Sequence, residues 1–590
     1  VMMVTNSTMV SYSQQTDVQS VYSQDICISS AGTDYGDWVV DNNTFYDCTV
    51  AVMIYSNYYA TSPYYGGTGT DGARWSNNTV YDSTYLPFWA YLQSDADDLL
   101  IDNNTITGTK RTGYGIYAQD NRVNSWTISG NTIYTADEPI YSRNAKSWDI
   151  NNNTIYGDAS SAHAGIYVRN GEGNIADNTL IDADGGINVY GVRSGYDVEL
   201  HRNTISASNN RVSPTATGIY VENCGLSPVT MSGNHVTTTS NALVSDGCDI
   251  EDVGSSFNSA GGSASQIHNV YIEANQYNPS IINISTGDTV RWVHTQYNSD
   301  PNNYMHTTTS NDSLWDSGAL NLGATFAYTF TSPGSYEYHD TLHTWMYGVV
   351  NVANSTSTTN LLTYGIDMVD GNEDVSFDGT SIGGFSLAYR QTGGELDIKD
   401  MVVTGGSGFE LENVDVEVDG LNISSSSTGI GMDVYSGNGR DDLSIQNMHI
   451  IGGLVGLRAD GHDNFRWNQG TSSATTSLQT YNGAEGRIEN VTWGSETVMQ
   501  IDAGAYSTIT SVGNMPGLNQ SMMSIGTSAV IHQAQFLDLT VLHKGQPATD
   551  VGLMIKSTDL GRSEYVSPSW RSNIIAVGEG ANGAAEVTDW

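Results

Sequence analysis

Asn104-Thr105-Ile106 is one copy of a short pattern, asparagine, threonine and then an apolar residue, that returns along the first part of the chain. Successive copies are spaced by roughly 22 to 35 residues, a period that indicates stacked structural repeats. Asn234-His235-Val236 continues the series with His in place of Thr. The remaining copies are Asn43-Thr44-Phe45, Asn78-Thr79-Val80, Asn131-Thr132-Ile133, Asn153-Thr154-Ile155, Asn178-Thr179-Leu180 and Asn203-Thr204-Ile205.

A second short apolar segment, such as Gly165-Ile166-Tyr167-Val168, lies between successive copies. Gly, Asn and Asp separate these segments, and no helical periodicity connects them. Each repeat therefore predicts two or three short strands, which correspond to one coil of a right-handed parallel β-helix. The Asn before each Thr is expected to stack in a ladder at the bend, where its amide satisfies backbone groups of successive coils.

Residues 1–260 resemble the parallel β-helix repeat families: pectate lyases, carbohydrate-binding and sugar-hydrolysing β-helices, and the periplasmic β-helix proteins of nitrous-oxide reductase maturation. The resemblance implies the fold and leaves the activity open, because all these families share it. Further alternation between Gly and Asp turns, as in Leu396-Asp397-Ile398-Lys399-Asp400, predicts more coils over 360–537.

A different pattern occupies residues 266–353. Its most informative stretch is Tyr336 to Gly348, Y-E-Y-H-D-T-L-H-T-W-M-Y-G, which predicts a strand, a tight loop and the start of another strand. Asp340, His343 and Met346 follow at three-residue intervals, so that a short loop can converge them on one point. A carboxylate, an imidazole and a thioether form a plausible transition-metal site, and His306 is the candidate for the remaining ligand.

This span resembles a cupredoxin of the amicyanin and plastocyanin kind, and its ligand loop is most similar to that of amicyanin. The resemblance implies a Greek-key β-sandwich that binds one copper ion through His306, His343, Met346 and the residue at position 340. The matching segments occur in the family's order: Asn278-Pro279-Ser280, Gly287 to Trp292, Trp315 to Gly318, Phe326 to Phe330, Pro333 to Tyr338 and Gly348 to Val352.

Asp340 departs from the family, which has a cysteine thiolate at this position in its blue copper sites. The intense copper–thiolate absorption should therefore be absent, and a hard carboxylate favours Cu(II) over Cu(I) and admits zinc. A lower reduction potential is expected. The alternative is a sandwich whose site holds no metal. Strand alternation directs His339 away from Asp340, towards the surface or a supporting position.

Acidic residues dominate the charge of the chain: 64 Asp and Glu oppose 21 Lys and Arg, for a net charge of −43. This argues against nucleic acid or an anionic membrane as a partner, and solubility is the plainest explanation. No apolar run of about 18 residues is present, which predicts no membrane insertion in this segment. No signal peptide is visible, and the pattern is already under way at Val1, so we expect an interior slice or processed form of a longer chain.

The cysteines and the sequons indicate export. Cys27 and Cys48, like Cys224 and Cys248, are about one coil apart, which predicts two disulfides and an oxidising compartment; four free thiols are the alternative. Asn-x-Ser/Thr sequons predict glycosylation of an extracellular or cell-surface protein, although composition alone produces many such matches. The candidate asparagines are Asn42, Asn77, Asn103, Asn152, Asn283, Asn354, Asn422 and Asn490.

The predicted organisation is all-β: a parallel β-helix over 1–260, a cupredoxin over 266–353, the β-helix continued over 360–537, and a small, incomplete β-sandwich over 538–590. The cupredoxin is either an insertion that projects from one β-helix or a bead between two. The final domain rests on Val541 to Ala548, which resembles the opening of a carboxypeptidase-regulatory or Ig-like domain.

Two classes of function fit these features. The first is a non-enzymatic extracellular surface protein that binds copper, or zinc, for storage, delivery or slow electron exchange, with glycans or neighbouring copies as partners and an unidentified redox partner. The second is a secreted polysaccharide lyase or glycoside hydrolase, which needs clustered carboxylates and a base. We favour the first and assign no catalytic residue. The candidate cluster for the second, with solvated loop charges as its alternative, is Asp95, Asp97, Asp98, Lys110, Arg111, Asp120 and Arg122.

Overall fold

The computed structural model is nearly all-β. Apart from one 3-10 turn at Gln520–Met522, the described residues form strands, turns and bends, and none forms an α-helix. None of them forms a helix long and apolar enough to span a bilayer. The structure describes residues 2–10, 26–31, 38–55, 73–81, 86–91, 96–107, 114–119, 123–134, 138–145, 147–157, 164–183, 185–191, 197–207, 217–224, 227–260, 267–273, 276–285, 289–294, 305–312, 314–321, 324–330, 332–353, 363–369, 371, 373–437, 441–512, 518–534, 537–538, 542–543, 546–547, 552–554, 574–576 and 584–585.

Forty-four of the described strands join in one parallel sheet that winds as a β-helix. Equivalent residues of successive coils pair in register: Ile106 lies opposite Val80 in the coil before it and Ile133 in the coil after it. All three side chains point inward and are fully buried, so the apolar residue of each repeat stacks into one continuous core. The sequence period is thus the length of one coil.

The strands that precede the insert, β1 to β29, are Met2–Thr5, Thr8–Val10, Ile26–Ala31, Trp38–Asp41, Thr44–Tyr46, Val50–Tyr55, Ala73–Ser76, Thr79–Tyr81, Phe88–Tyr91, Ala96–Asp102, Thr105–Thr107, Tyr114–Gln119, Val123–Ser129, Thr132–Tyr134, Glu138–Arg143, Ser147–Asn151, Thr154–Tyr156, Ala164–Arg169, Glu172–Ala176, Thr179–Ala183, Gly185–Tyr190, Val198–His201, Thr204–Ala207, Ile219–Glu222, Val229–Ser232, His235–Thr238, Leu243–Asp246, Ile250–Val253 and Ser256–Ser259.

The described residues of the insert form eight strands: β30 (Ile267–Glu273), β31 (Gln276–Asn278), β32 (Ile281–Ser285), β33 (Thr289–His294), β34 (Thr309–Ser310), β35 (Thr325–Thr329), β36 (Gly334–His339) and β37 (Tyr347–Ala353). They lie in two four-stranded sheets of mixed direction, ordered β31-β30-β33-β35 and β32-β37-β36-β34. One hydrophobic cluster, which includes Trp292, Trp315 and Tyr338, draws residues from both sheets.

The coils on either side of the insert pair directly with each other. Leu243 lies opposite Ile366, and Ile250 lies opposite Val375, so the β-helix continues across the insert without a break in register. Strands β38 to β52 of the continuation are Tyr364–Met368, Asp374–Asp378, Ser381–Thr392, Glu395–Glu412, Asp415–Ser425, Ile430–Tyr435, Leu443–Gly452, Val455–Asp460, Phe465–Ser472, Thr476–Tyr481, Glu485–Trp493, Met499–Ala503, Thr508–Val512, Met523–Ile525 and Val530–Ala534.

The last fifty residues are described only as short antiparallel pairs. Leu537–Asp538 pairs with Ala584–Ala585, Leu542–His543 with Gln546–Pro547, and Gly552–Met554 with Ile574–Ala576. The rest of 538–590 lies outside the described residues, so the partial β-sandwich expected there stays a prediction.

Buried asparagines form the ladder expected from the repeat. The backbone N–H and the Nδ2 of Asn104 both donate to Oδ1 of Asn131 at 3.0 Å, and Nδ2 also donates to the carbonyl of Trp75 at 2.9 Å. Oδ1 of Asn104 in turn accepts from the N–H and Nδ2 of Asn78. Each amide is therefore satisfied by the coils before and after it, which confirms the predicted role of these residues. The ladder consists of Asn43, Asn78, Asn104, Asn131, Asn153, Asn178, Asn203 and Asn234.

Two disulfides link neighbouring coils, as the cysteine spacing predicts. Cys27 is bonded to Cys48 and Cys224 to Cys248, with Cα–Cα distances of 5.9 and 5.0 Å. These are the four cysteines of the chain, so the alternative of free thiols is wrong.

The sequon asparagines that the structure describes face solvent. In four sequons the exposed acceptor immediately precedes a buried ladder asparagine and has a φ of 54° or 55°, in the left-handed region that Asn tolerates better than most residues. Asn354 lies outside the described residues, and glycosylation itself stays a prediction. The four are Asn42, Asn77, Asn103 and Asn152; Asn283, Asn422 and Asn490 are also exposed.

Asp252 places a carboxyl group in the core of the coil before the insert. It stacks between Met231 and Phe377 and is 2% exposed, whereas its neighbour Val253 is 58% exposed. The hydroxyls of Ser255 and Thr380 donate to the carboxyl oxygens. Burial raises the pKa of Asp252, and the hydrogen bonds from Ser255 and Thr380 offset only part of that effect.

We predict that Asn153→Ala lowers the free energy of unfolding by about 2–4 kcal/mol, because it leaves the buried N–H of Asn131 without its acceptor and removes the Nδ2 donor to Asn178. Chemical denaturation followed by circular dichroism measures the change. Asn152→Gly is the matched control: it removes the adjacent exposed amide at a positive φ, and its effect should stay within about 0.5 kcal/mol. Equal losses in the two variants would contradict the ladder's role.

We predict that Asp252→Asn stabilises the chain at pH 7.5. Since the folded-state pKa of Asp252 is raised, the folded protein binds this proton more tightly than the unfolded one does. The aspartate thus contributes most stability below its unfolded pKa and loses it as the pH rises through the folded pKa. The advantage of the variant should therefore shrink as the pH falls towards 4, in denaturation curves measured across this range. A variant that is less stable at every pH would refute this explanation.

Candidate metal centre

Three buried donor groups converge in the insert. Nδ1 of His306 lies 2.6 Å from Oδ2 of Asp340, and Nδ1 of His343 lies 2.8 Å from the same oxygen. All three ligand atoms lie within 4.8 Å of one another, and the side chains are at most 2% exposed. Two imidazoles and a carboxylate thus point at one small volume.

The loop after strand β36 brings two of these groups together. Asp340 follows the last residue of the strand, and its N–H donates to the carbonyl of Met346 at 3.2 Å. The N–H of Met346 donates to the carbonyl of His343 at 2.9 Å, which closes the loop upon itself. The three-residue spacing read from the sequence is therefore the spacing of a hydrogen-bonded turn.

His306 comes from a separate segment that is fixed by its backbone. Its N–H donates to the carbonyl of Leu320 at 3.2 Å, and the N–H of Leu320 donates to the carbonyl of His306 at 2.7 Å. The next residue, Thr307, accepts at its carbonyl from the hydroxyl of Tyr277 at 2.5 Å. Backbone contacts therefore hold this imidazole opposite the loop without using its ring nitrogens.

Hydrogen bonds to the second carboxylate oxygen, Oδ1, fix the orientation of Asp340. Oδ1 accepts from the N–H and the hydroxyl of Thr307, both at 3.1 Å, and from the N–H of Leu342 at 2.9 Å. Burial is the largest single influence and opposes ionisation, but the hydrogen bonds from His306, His343 and the Leu342 N–H together hold the pKa of Asp340 well below its usual range. The group is thus a carboxylate whose Oδ2 faces both imidazoles.

The donor set fits a divalent transition metal. An ionised carboxylate only accepts hydrogen bonds, so each Nδ1 that faces Asp340 carries a proton in this arrangement. Nε2 of His306 is buried and has no hydrogen-bond partner among the residues that the structure describes. A cation that replaced the two protons would be held by two nitrogen atoms and one oxygen atom, ligands that copper and zinc accept.

The remaining predicted residues occupy distinct positions. Met346 is 1% exposed and belongs to the hydrophobic cluster of the insert, while its backbone closes the ligand loop. His339 is partly buried and its Nδ1 bonds to Oδ1 of Asn311 at 2.7 Å, away from Asp340. Strand alternation thus gives the correct side for His339.

His294 is a buried imidazole that the sequence analysis missed. Its Nδ1 donates to the carbonyl of Leu320 at 3.0 Å, and its ring meets the ring of His306 at a centroid distance of 4.8 Å and an angle of 86°. It lies two residues after Trp292 on strand β33, so strand alternation directs both side chains into the same core. That alternation is the signal that could have identified it.

The acidic cluster proposed for a lyase or hydrolase is not assembled among the described residues. Asp98 is exposed and accepts a hydrogen bond from the hydroxyl of Ser125 at 2.6 Å. The side chain of Asp97 and the residues Asp95, Lys110, Arg111, Asp120 and Arg122 lie outside the described part of the chain.

A family model described as "Right handed beta helix region" matches residues 90–251. No curated protein matches the sequence. Solved structures similar to the chain include a purple cupredoxin from Nitrosopumilus maritimus, at 27% identity over 14% of this chain and 98% of that one, with a TM-score of 0.13. A reduced amicyanin mutant is 24% identical over 14% of this chain and 80% of its own, again with a TM-score of 0.13.

A copper-containing nitrite reductase from Thermus scotoductus is also similar, at 24% identity over 14% of this chain and 22% of its own, with a TM-score of 0.13. The family match and the parallel sheet of stacked coils together support a right-handed β-helix repeat protein.

Proposed function

We propose that the insert is a cupredoxin-like domain that binds one copper ion without a thiolate, carried by an extracellular β-helix. The observation that carries the proposal is the convergence of His306, Asp340 and His343, all buried. Against the effect of burial, the hydrogen bonds that Asp340 accepts lower its pKa and favour the carboxylate form. A buried anion flanked by two imidazoles is costly unless it serves a cation or a structural network. A metal ion satisfies all three groups at once.

Each candidate residue of the insert has a distinct part in binding the metal. His306 and His343 offer Nδ1, and Asp340 offers Oδ2 because Thr307 and Leu342 hold its other oxygen. Met346, in the adjacent core, is the candidate for a weak fourth ligand. Copper in this position would supply one-electron exchange, and the hard carboxylate would favour its Cu(II) state. Zinc fits the same donors.

Two further features support an extracellular or cell-surface location. The disulfides Cys27–Cys48 and Cys224–Cys248 belong to oxidising compartments, and seven sequon asparagines face solvent. Glycans or neighbouring copies are the proposed partners, and the redox partner is unidentified. The large negative charge of the chain suits a protein that attracts cations rather than nucleic acid or anionic lipid.

Titration of the full chain with Cu(II) should show tight one-to-one binding, with an EPR signal typical of nitrogen and oxygen ligands and no intense visible band. His306→Ala and Asp340→Ala should weaken binding by at least about a hundredfold, because each removes a direct ligand. His339→Ala is the matched control: it removes an imidazole one residue from Asp340 that points away from the site. Equal loss in the control would refute the assignment.

Asp340→Cys should turn the site into a thiolate centre. We expect an intense visible absorption with Cu(II) and a higher reduction potential, because a soft thiolate stabilises Cu(I) relative to a carboxylate. Optical titration and potentiometry measure both changes. His339→Cys introduces the same thiol one residue earlier, at the end of strand β36 and outside the site, and it should give no such band. A variant at position 340 that binds copper and stays colourless would contradict the proposed geometry.

A further inference from the structure

His343 is buried although it lies on a short surface loop. Its side chain is 2% exposed, whereas the neighbouring Leu342 and Trp345 are 51% and 60% exposed. The indole of Trp345 contacts the imidazole of His343, with ring centroids 5.3 Å apart and planes at 69°. An exposed aromatic ring therefore covers part of a buried metal-ligand candidate.

The loop backbone fixes the base of this indole. Trp345 lies between His343 and Met346, which are joined by a hydrogen bond of 2.9 Å, and Met346 is joined in turn to Asp340. The side chain itself extends into solvent. Rotation of the indole about its own bonds can therefore uncover the imidazole without breaking the hydrogen bonds that hold the donors.

Exposed apolar side chains lie next to the donors. Met305 precedes His306 and is 45% exposed, Leu342 precedes His343, and Trp345 contacts the ring of His343. His306, His343 and Asp340 supply only three strong donors, and Cu(II) with nitrogen and oxygen ligands favours square or tetragonal coordination. Copper in an open site of this kind would recruit water or a small anion. Whether it does so depends on what covers the donors.

We propose that Trp345 is the specificity-determining cover of this centre: its indole shields His343 and excludes water and small anions from the metal. The part of this inference that concerns a bound metal, the exclusion of water and small anions, rests on the proposed function. The shielding of His343 is a property of the metal-free chain and is tested without copper.

The first experiment treats the metal-free full chain with diethyl pyrocarbonate and follows each histidine by mass spectrometry. Trp345→Ala should make His343 react at least about tenfold faster than in the wild type, which corresponds to a barrier lower by about 1.4 kcal/mol. Trp345→Phe should keep most of the protection. His339, partly exposed and outside the site, is the internal reference. An unchanged rate at His343 in Trp345→Ala would overturn the inference.

Leu342→Ala is the matched control on the same loop, because it removes an exposed apolar side chain that also neighbours His343. It should leave the rate at His343 within about twofold of the wild type, since a surface truncation of this kind changes little elsewhere. An acceleration as large as that of Trp345→Ala would assign the shielding to the loop as a whole. Circular dichroism verifies that each variant retains its β structure.

The second experiment titrates the copper-loaded chain with azide and follows EPR and optical spectra. The wild type and Trp345→Phe should show no azide adduct, whereas Trp345→Ala should form one. The same azide affinity in the wild type and both variants would overturn the proposal that Trp345 covers the metal. A wild-type chain that binds no copper would instead refute the proposed function, and the diethyl pyrocarbonate result would still decide whether Trp345 shields His343.

Discussion

The continuous row of buried amide groups is the interaction on which the rest of the β-helix depends. At the bend that carries the ladder asparagine, from Asn43 to Asn234, backbone groups lie beyond the strand pairing, and one side chain per coil satisfies them across the coil boundary. Because each amide donates to the next coil and accepts from the previous one, a shift in register would break several contacts at once. The ladder therefore specifies the stacking as well as stabilising it.

The ladder ends where the insert begins, and the chemistry of the bend changes there. Asn234 donates to the hydroxyl of Ser255 rather than to another amide, and Ser255 and Thr380 surround the carboxyl of Asp252. In the second part the equivalent position is apolar: Met401, Leu421 and Met448 follow Thr380 in the same row and are fully buried. This row of the β-helix is thus polar before the inserted segment and apolar after it.

The parts of the structure that recur in the sequence are the parts that the sequence predicts. The ladder and the disulfides follow from a period that is visible in the residues, because identical coils impose identical neighbours. Asp252 breaks the rule that carboxylates face outward: alternation along Ile250–Val253 buries the aspartate and exposes the valine. These four residues alone do not show whether Asp252 or Val253 faces the core, because the register of the strand is set by the coils above and below it.

The candidate metal site also contains residues that the sequence predicts and residues that only the folded structure reveals. Asp340 and His343 lie three residues apart in one turn, so their proximity could be predicted, and His306 was found through the order of segments that resemble a cupredoxin. His294 stands alone in the sequence, and its contact with His306 exists only after two distant strands have packed. The cover over His343 likewise depends on how the loop closes between Asp340 and Met346, which is a property of backbone hydrogen bonds rather than of residue type.

The unbroken register across the insert ties the position of the candidate metal centre to the number of coils that precede it. Adjacent parallel strands are separated by about 4.8 Å, so each coil below the insert raises its point of departure by that amount. Duplication or loss of a whole coil would move the centre along the axis in equal steps while leaving its donors untouched. The guanidinium of Arg291 lies 4.1 Å from the centre of the Tyr156 ring, so the insert also contacts a coil that lies several coils before its point of departure. A change of whole coils therefore shifts the candidate centre along the axis in integer steps, and the side-chain rows that contact the insert are the part that must be matched anew.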